Sequence, residues 1–380
     1  MKKILLASLV MLSALFMASC CTAKVQAQPE QVQKKLKVGF YIDDGSRSGG
    51  VLRLGRLIGH TPQFELVLLD GKDLRDGKLA NVDMLLIPGG SSQKQYEAMQ
   101  ESGAQAVRDF VSKGGAYFGV CAGFHCAMNC PERIKLLPFK HKSGSGHQGN
   151  AAVEISAEGA KLLGVKKGII YGRYSKGPIA IKENDWPHSS AKTLAVYKST
   201  ITKAGVETNG MFNASAIIYG NHGKGKVVAT SFHPESYNST SDIVFGCINL
   251  VTGVRGKMVL PVKNRRPVRT LFYAASLRGK AYMPIFLALD RNADIDVVPG
   301  LGSDIDAGAL EHADVLVIPP GNGKVIRSGL LSRKALLKNF MDRGGVIISR
   351  QAEFKDIIDH KNVVIVPEGK CFVPYALQAR

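Results

Sequence analysis

Short apolar runs separated by polar, glycine-rich breaks recur along most of this chain. Residues 36–42, Leu-Lys-Val-Gly-Phe-Tyr-Ile, predict a first strand, and Asp43-Asp44-Gly45-Ser46 the turn that follows it. Residues 51–58 predict a helix, and 64–69 and 82–87 two further strands, the latter ended by Pro88-Gly89-Gly90. Ala106, Val107, Phe110 and Val111 give residues 104–112 one apolar face, as a packed helix needs, and Gly114-Gly115 stop it. Residues 116–120 then read as a buried strand. Strands alternating with helices predict an α/β fold, flavodoxin-like, with a mostly parallel sheet covered on both faces. The middle of the chain has a different rhythm. Residues 151–155, 169–171, 179–181, 193–197, 214–219 and 226–231 are short strand candidates without long helices between them. They predict an antiparallel extension of the same sheet, followed by a helix over 241–251.

The early pattern returns near the C-terminus. Val82-Asp83-Met84-Leu85-Leu86-Ile87-Pro88-Gly89 is echoed by Ala313-Asp314-Val315-Leu316-Val317-Ile318-Pro319-Pro320-Gly321, and residues 110–118 by 340–348. The second half therefore reads as a smaller, degenerate copy of the first, with Gln351 where the first copy has Cys121. Two α/β segments that look alike only because both are strand–turn–helix units remain the alternative. The expected organisation is a leader over 1–19, a tether over 20–36, a first domain over 37–257, a linker over 258–267 and a second domain over 268–380.

The amino-terminal segment changes the setting. Met1-Lys2-Lys3 precedes an almost wholly apolar run to Met17, too short for a confident membrane span. Met17-Ala18-Ser19-Cys20 resembles the lipobox of bacterial lipoproteins. That resemblance implies lipidation at Cys20, attachment to a lipid membrane through it, and a place in the bacterial cell envelope facing the periplasm. The Gln- and Lys-rich stretch behind it reads as a flexible tether. Fifty Lys and Arg against 31 Asp and Glu give a formal net charge of +19. Such a surface attracts anionic headgroups or acidic ligands. The basic residues are scattered and no reading motif accompanies them, so no nucleic-acid partner is expected. The seven Cys show no regular spacing, so neither a disulfide scaffold nor a metal site is expected. Nothing in the chain calls for a cofactor.

The chemistry concentrates at two points. Gly119-Val120-Cys121-Ala122-Gly123 sets a cysteine between glycines at the end of a buried strand. Ser231-Phe232-His233-Pro234-Glu235 places a base and a carboxylate at the end of another. A cysteine at a sharp strand-to-helix turn projects from the sheet edge toward a helix N-terminus. His233 can accept its proton and Glu235 can orient the imidazole. Backbone N–H groups of Ala122 and of the Gly89-Gly90 turn can face an oxyanion. A small buried cysteine is the plain alternative. His125, one helical turn after Cys121, either contacts a ligand or is a core-edge histidine. Asp43, Tyr171 and Asn213 are further candidates for the rim.

With these motifs in view, the chain resembles the class I glutamine-amidotransferase-like superfamily, and within it the domain at the N-terminus of biotin-protein ligases. The segments that carry the resemblance are residues 87–90, 114–123 and 219–228 running into 232–235. The resemblance implies Cys121 as nucleophile, His233 as base, Glu235 as orienting acid, and Gly90 and Ala122 as oxyanion donors. No ligase or synthase domain follows, so no acceptor for ammonia is evident. Two functions stand open: hydrolysis of an amide or peptide-like bond in an unidentified small-molecule or peptide-like substrate, through a thioester, or non-catalytic ligand binding or scaffolding on the retained fold. The second half has no equivalent chemistry. It either packs on the first domain, walls a pocket or binds an envelope protein partner.

Overall fold

The computed structural model describes residues 34–46, 48–142, 147–182, 191–202, 210–275, 279–321, 323–351, 354 and 358–378. Cys20 and the leader lie outside them. The described elements run β1 (Leu36–Tyr41), α1 (Ser48–Gly59), β2 (Phe64–Leu69), α2 (Gly71–Arg75), β3 (Met84–Ile87), α3 (Ser92–Ser112), β4 (Ala116–Val120) and α4 (Ala122–Ala127). The middle contributes β5 (Phe139–Lys142), β6 (Gln148–Ile155), α5 (Ala157–Leu163), β7 (Gly168–Ser175), β8 (Ile179–Lys182), β9 (Lys192–Tyr197), β10 (Ser215–His222), β11 (Gly225–Thr230) and α6 (Ser241–Thr252). The C-terminal part adds β12 (Val268–Tyr273), α7 (Tyr282–Arg291), β13 (Ile295–Gly300), α8 (Gly302–Asp306), β14 (Val315–Ile318), α9 (Gly323–Leu331), α10 (Lys334–Asp342), β15 (Val346–Ser349), β16 (Val363–Ile365) and α11 (Val373–Leu377).

The first sheet has the order β2-β1-β3-β4-β11-β10-β9-β6-β7, with β8 paired to β10 and β5 to β8. β2, β1, β3, β4 and β11 are mutually parallel. From β10 onward the pairing is antiparallel. The second sheet, β13-β12-β14-β15-β16, is parallel throughout. This is the larger mixed sheet and smaller parallel sheet that the hydrophobic pattern predicts. Central strands with no polar face, such as Met84–Ile87 and Val315–Ile318, are buried at every position.

The duplication extends to details of capping. Asp83 Oδ2 accepts from Lys37 N at 2.7 Å, and Asp314 Oδ2 from Arg269 N at 2.9 Å. Asp73 Oδ2 accepts from Asp70 N at the head of α2, and Asp304 Oδ2 from Leu301 N at the head of α8. Gly77 and Gly308, both with positive φ, follow these helices. Each carboxylate satisfies an N–H that the adjoining strand or helix leaves without a partner. The same polar device recurs at equivalent places in both copies.

The helix read over 104–112 begins earlier, at Ser92. Ser91 caps α3, its Oγ accepting from Lys94 N, and the helix bends at Gln100, where φ is 59°. Gln95 and Met99, both fully buried, seat this half, and Gln95 Nε2 donates to Pro88 O at 3.0 Å.

The two sheets share one core. Phe40 and Phe118 of the first, with Val51 of α1, belong to the same buried cluster as Phe272 and Val317 of the second, with Met283 of α7. α7 lies on α1, with Met283 and Leu287 seated over Gly55 and Gly59. Asp290 anchors the contact. Its carboxylate receives Arg56 Nε and Nη2, each at 2.6 Å, and lies 2.9 Å from His60 Nε2. Arg56 Nη2 also donates to Val297 O at 2.9 Å. Among the described residues no helix is long and apolar enough to cross a membrane.

Candidate active site

Cys121 sits at the junction of β4 and α4 with φ 52° and ψ −97°. This conformation is costly for a residue with a Cβ and persists only where surroundings enforce it. Here Cys121 N donates to Thr230 O at 2.8 Å, and His125 N to Cys121 O at 3.1 Å. Gly123 makes the tight turn feasible. A Cβ there would stand 2.2 Å from Ile87 O, so only glycine lets α4 start this close to β3.

β11 is parallel to β4 and ends beside it, Thr230 pairing with Val120. His233 follows three residues later and is held by its backbone, His233 N donating to Arg173 O at 2.8 Å. A short 3₁₀ turn, Pro234–Ser236, brings Glu235 back beneath it. Glu235 Oε1 lies 2.8 Å from His233 Nδ1, and the Glu235 side chain is wholly buried. Cys121 Sγ lies 4.0 Å from Ser175 O, and Cys121 and His233 border the same cleft beside Gly89. Burial alone pushes the imidazole down, but Glu235 and Cys121 outweigh it and hold His233 well above the usual histidine range. Cys121, His233 and Glu235 thus lie at the ends of the adjacent strands β4 and β11.

Gly89 and Gly90 lie beside them. A Cβ on Gly89 would stand 2.5 Å from His233 Cε1 and 3.4 Å from Cys121 Cβ. Gly89→Ala is therefore expected to displace the imidazole and slow alkylation of Cys121 by about a hundredfold. The melting temperature of the same variant, read alongside, shows whether the fold is retained. Ala122 opens α4, where a first-turn N–H has no acceptor inside the helix.

Two cavities meet at Cys121. One, of about 560 Å³, includes Gly89, Gly90, His233, Arg53 and Arg173 in its lining, and Pro299, Gly300 and Leu301 from the second sheet. The other, of about 260 Å³, is lined by Gly90, Ala122, Ser92, His125, His141 and Lys176 among others. His125 thus stands on the smaller hollow. Its Nδ1 is 2.9 Å from Ser92 Oγ and its ring lies against His141, centroids 4.5 Å apart. Burial, reinforced by Arg133 and His141, pushes His125 down to about 3, so it is neutral at pH 7.

The remaining candidates stand outside both linings. Asp43 Oδ2 accepts from Gly71 N at 2.8 Å and its Oδ1 from Asp44 N at 2.7 Å, so both oxygens serve local turns. Tyr171 projects from the outer face of β7 and is 67% exposed. Asn213 Oδ1 accepts from Lys198 Nζ at 3.0 Å. Among the described residues no three His, Cys, Asp or Glu side chains converge on a metal position. The free thiols Cys126 and Cys247 are buried, which pushes both upward, Cys126 to about 12.

Sequence reasoning missed Arg53, Arg173, Ser92 and His141, which no motif marks. A pocket wall was one of three expectations for the second half, and Pro299, Gly300 and Leu301 line the larger cavity.

Residues 60–132, which hold Gly89, Gly90 and Cys121, match the family described as biotin-protein ligase, N terminal. The chain is 27% identical over 196 residues to a biotin–protein ligase of Schizosaccharomyces pombe, covering 46% of this chain and 29% of that protein. It is 42% identical over 77 residues to the pyridoxal 5'-phosphate synthase subunit PdxT of Niallia circulans, covering 20% of this chain and 40% of that one. The chain thus spans well under half the length of either relative. Among solved structures, a ThuA-like protein of Bacteroides uniformis aligns with 60% of this chain and 98% of its own at 12% identity and a TM-score of 0.40. A cytoplasmic protein of Salmonella typhimurium aligns with 57% and 99% at 12% identity and a TM-score of 0.39. By the matched segment and the sheet that carries it, this chain has a fold like that of class I glutamine amidotransferases and of the N-terminal part of biotin-protein ligases.

Proposed function

We propose that this chain is a cell-envelope lipoprotein, acylated at Cys20, whose amidotransferase-like rim binds a small-molecule or peptide-like ligand and hydrolyses an amide bond in it. The observation that carries the hydrolase reading is the strained elbow of Cys121 on the same cleft as the His233–Glu235 pair, in which Glu235 is wholly buried. In this reading His233 takes the thiol proton as Cys121 Sγ attacks the carbonyl carbon, and negative charge develops on the carbonyl oxygen. The N–H groups of Gly90 and Ala122 receive that oxygen. The C–N bond breaks as His233 passes the proton to the leaving nitrogen, leaving a thioester. Water then adds, giving its proton to His233. The C–S bond breaks, the acid departs, and the thiol is restored. Glu235 holds the imidazole in the orientation this needs. Cys121→Ala is expected to cost about 10³ or more in turnover with the melting temperature retained. Turnover equal to wild type in that variant would sink the reading.

A second reading is a binding or scaffold lipoprotein that uses the same cleft without chemistry. The fold, which is what the comparisons carry, supports it without further assumption, and Gln351 at the second elbow supports it too. A ligand held equally well by wild type, Cys121→Ala and His233→Ala, and recovered unchanged from all three, decides for this reading.

A further inference from the structure

We propose that the larger cleft is the leaving-group side of the site and takes an amine bearing an anionic group, so that the bond cleaved is a secondary amide. This rests on the hydrolase reading above and names its substrate class.

The first argument is positional. The leaving nitrogen must receive its proton from His233, so the leaving group lies on the side of Cys121 that His233 faces. His233 lines the cavity of about 560 Å³ and is absent from the lining of the smaller hollow. A primary amide releases ammonia, a molecule of about the size of water, which needs roughly 30 Å³. The cleft is far larger than that. Gly90 borders both cavities and Ala122 only the smaller hollow, so the acyl group, whose oxygen faces these donors, is assigned to the smaller hollow.

The second argument is the wall. Pro299, Gly300 and Leu301 end β13 and close the cleft from the second sheet. Arg56, which holds Asp290, also bonds Val297 O two residues before that wall. The roof is therefore fixed to α1 and does not hang free.

The third argument is charge. Arg53 of α1 and Arg173 of β7 both line the cleft. Among the described residues neither has a carboxylate partner. Arg173 Nη2 has only the neutral Gln148 Oε1 at 3.3 Å. Asp304 is the lining's one carboxylate, and its Oδ2 already accepts from Leu301 N at 2.6 Å. Two guanidinium groups without a carboxylate partner outnumber the one carboxylate of the lining, and they recognise a carboxylate or phosphate on the departing amine.

The test uses two thiol reagents of nearly equal size, iodoacetate and iodoacetamide, on the full chain, reading Cys121 by peptide mass spectrometry. The ratio of their rates is expected to exceed that for glutathione by about tenfold, and to fall with added salt. Arg53→Gln and Arg173→Gln should each cut the excess several-fold. A ratio equal to that of glutathione, or one that neither substitution moves, overturns the anion site. Hydrolysis is then compared for N-acylamino acids, the same compounds with the carboxylate capped as an amide, and L-glutamine. The uncapped N-acylamino acids are expected to be preferred, with the two Gln variants raising KM and leaving kcat near wild type. Faster release of ammonia from L-glutamine overturns the leaving-group assignment. No turnover of any compound, with a raised reagent ratio, rejects the hydrolase reading and the secondary-amide assignment with it while keeping the anion site.

Discussion

His233→Ala should slow alkylation of Cys121 near neutral pH by about 10² to 10⁴, the range in which a positioned base acts. The variant removes the group that accepts the thiol proton and leaves Glu235 buried beneath an empty space. Glu235 Oε2 already lacks a hydrogen-bond partner among the described residues. Losing the Oε1 contact as well strands a carboxylate in the interior, so a stability loss of about 3–5 kcal/mol is expected beside the kinetic effect. Glu235→Gln separates the two effects. It keeps the shape, removes the charge, and should lower the pH at which His233 gives up its proton. The sign for stability follows from the raised value of His233. Its pairing with Glu235 contributes fully below the pH where a free histidine titrates and is lost as pH rises through the raised value. Stability of wild type measured against Glu235→Gln should therefore converge at high pH. Alkylation of His233→Ala as fast as wild type would mean that the imidazole has no chemical consequence for the sulfur.

Asp290→Ala is expected to cost a further large amount, about 3–5 kcal/mol, read from denaturant unfolding. Asp290 is almost wholly buried between the two sheets and faces both Arg56 and His60. Its removal leaves a guanidinium and an imidazole in an interface built for an anion. Burial alone would raise the Asp290 carboxyl, but the bonds from His60 and Arg56 prevail and hold it below the usual carboxylate range. A depressed carboxylate stabilises above its unfolded value, and the contribution fades as pH falls through the folded one. The contact between sheets should thus be the acid-sensitive part of the molecule. A loss under about 1 kcal/mol would place this pair with ordinary surface ion pairs.

What was legible in the sequence was what local patterning dictates. Runs without a polar face gave the central strands, the Gly114-Gly115 stop gave the end of α3, and the glycines around Cys121 gave the elbow. The register between residues 110–118 and 340–348 gave the second sheet. Asp83 and Asp314, which bond equivalent backbone N–H groups, turn that likeness of letters into a likeness of structure. What was not legible depends on partners far apart in the chain. The polar half of α3 is held by Gln95 reaching Pro88, a tertiary contact that propensity does not encode. Arg56 and Asp290 find each other across most of the chain. Arg53 and Arg173 carry no spacing signature and meet only because α1 and the edge strand β7 border the same cleft. Asp43, read as a rim residue from its place after the first strand, and Asn213, a candidate pocket residue, spend their side chains on nearby backbone and Lys198.

The five parallel strands of the first sheet also give the molecule a compass. Cys121 stands where β4 finishes, and Leu36 stands where β1 starts, so the two occupy opposite margins of the same sheet. Whatever precedes Lys34 is joined to the margin remote from the cleft. A label or surface attachment placed ahead of β1 therefore leaves the Cys121 margin uncovered.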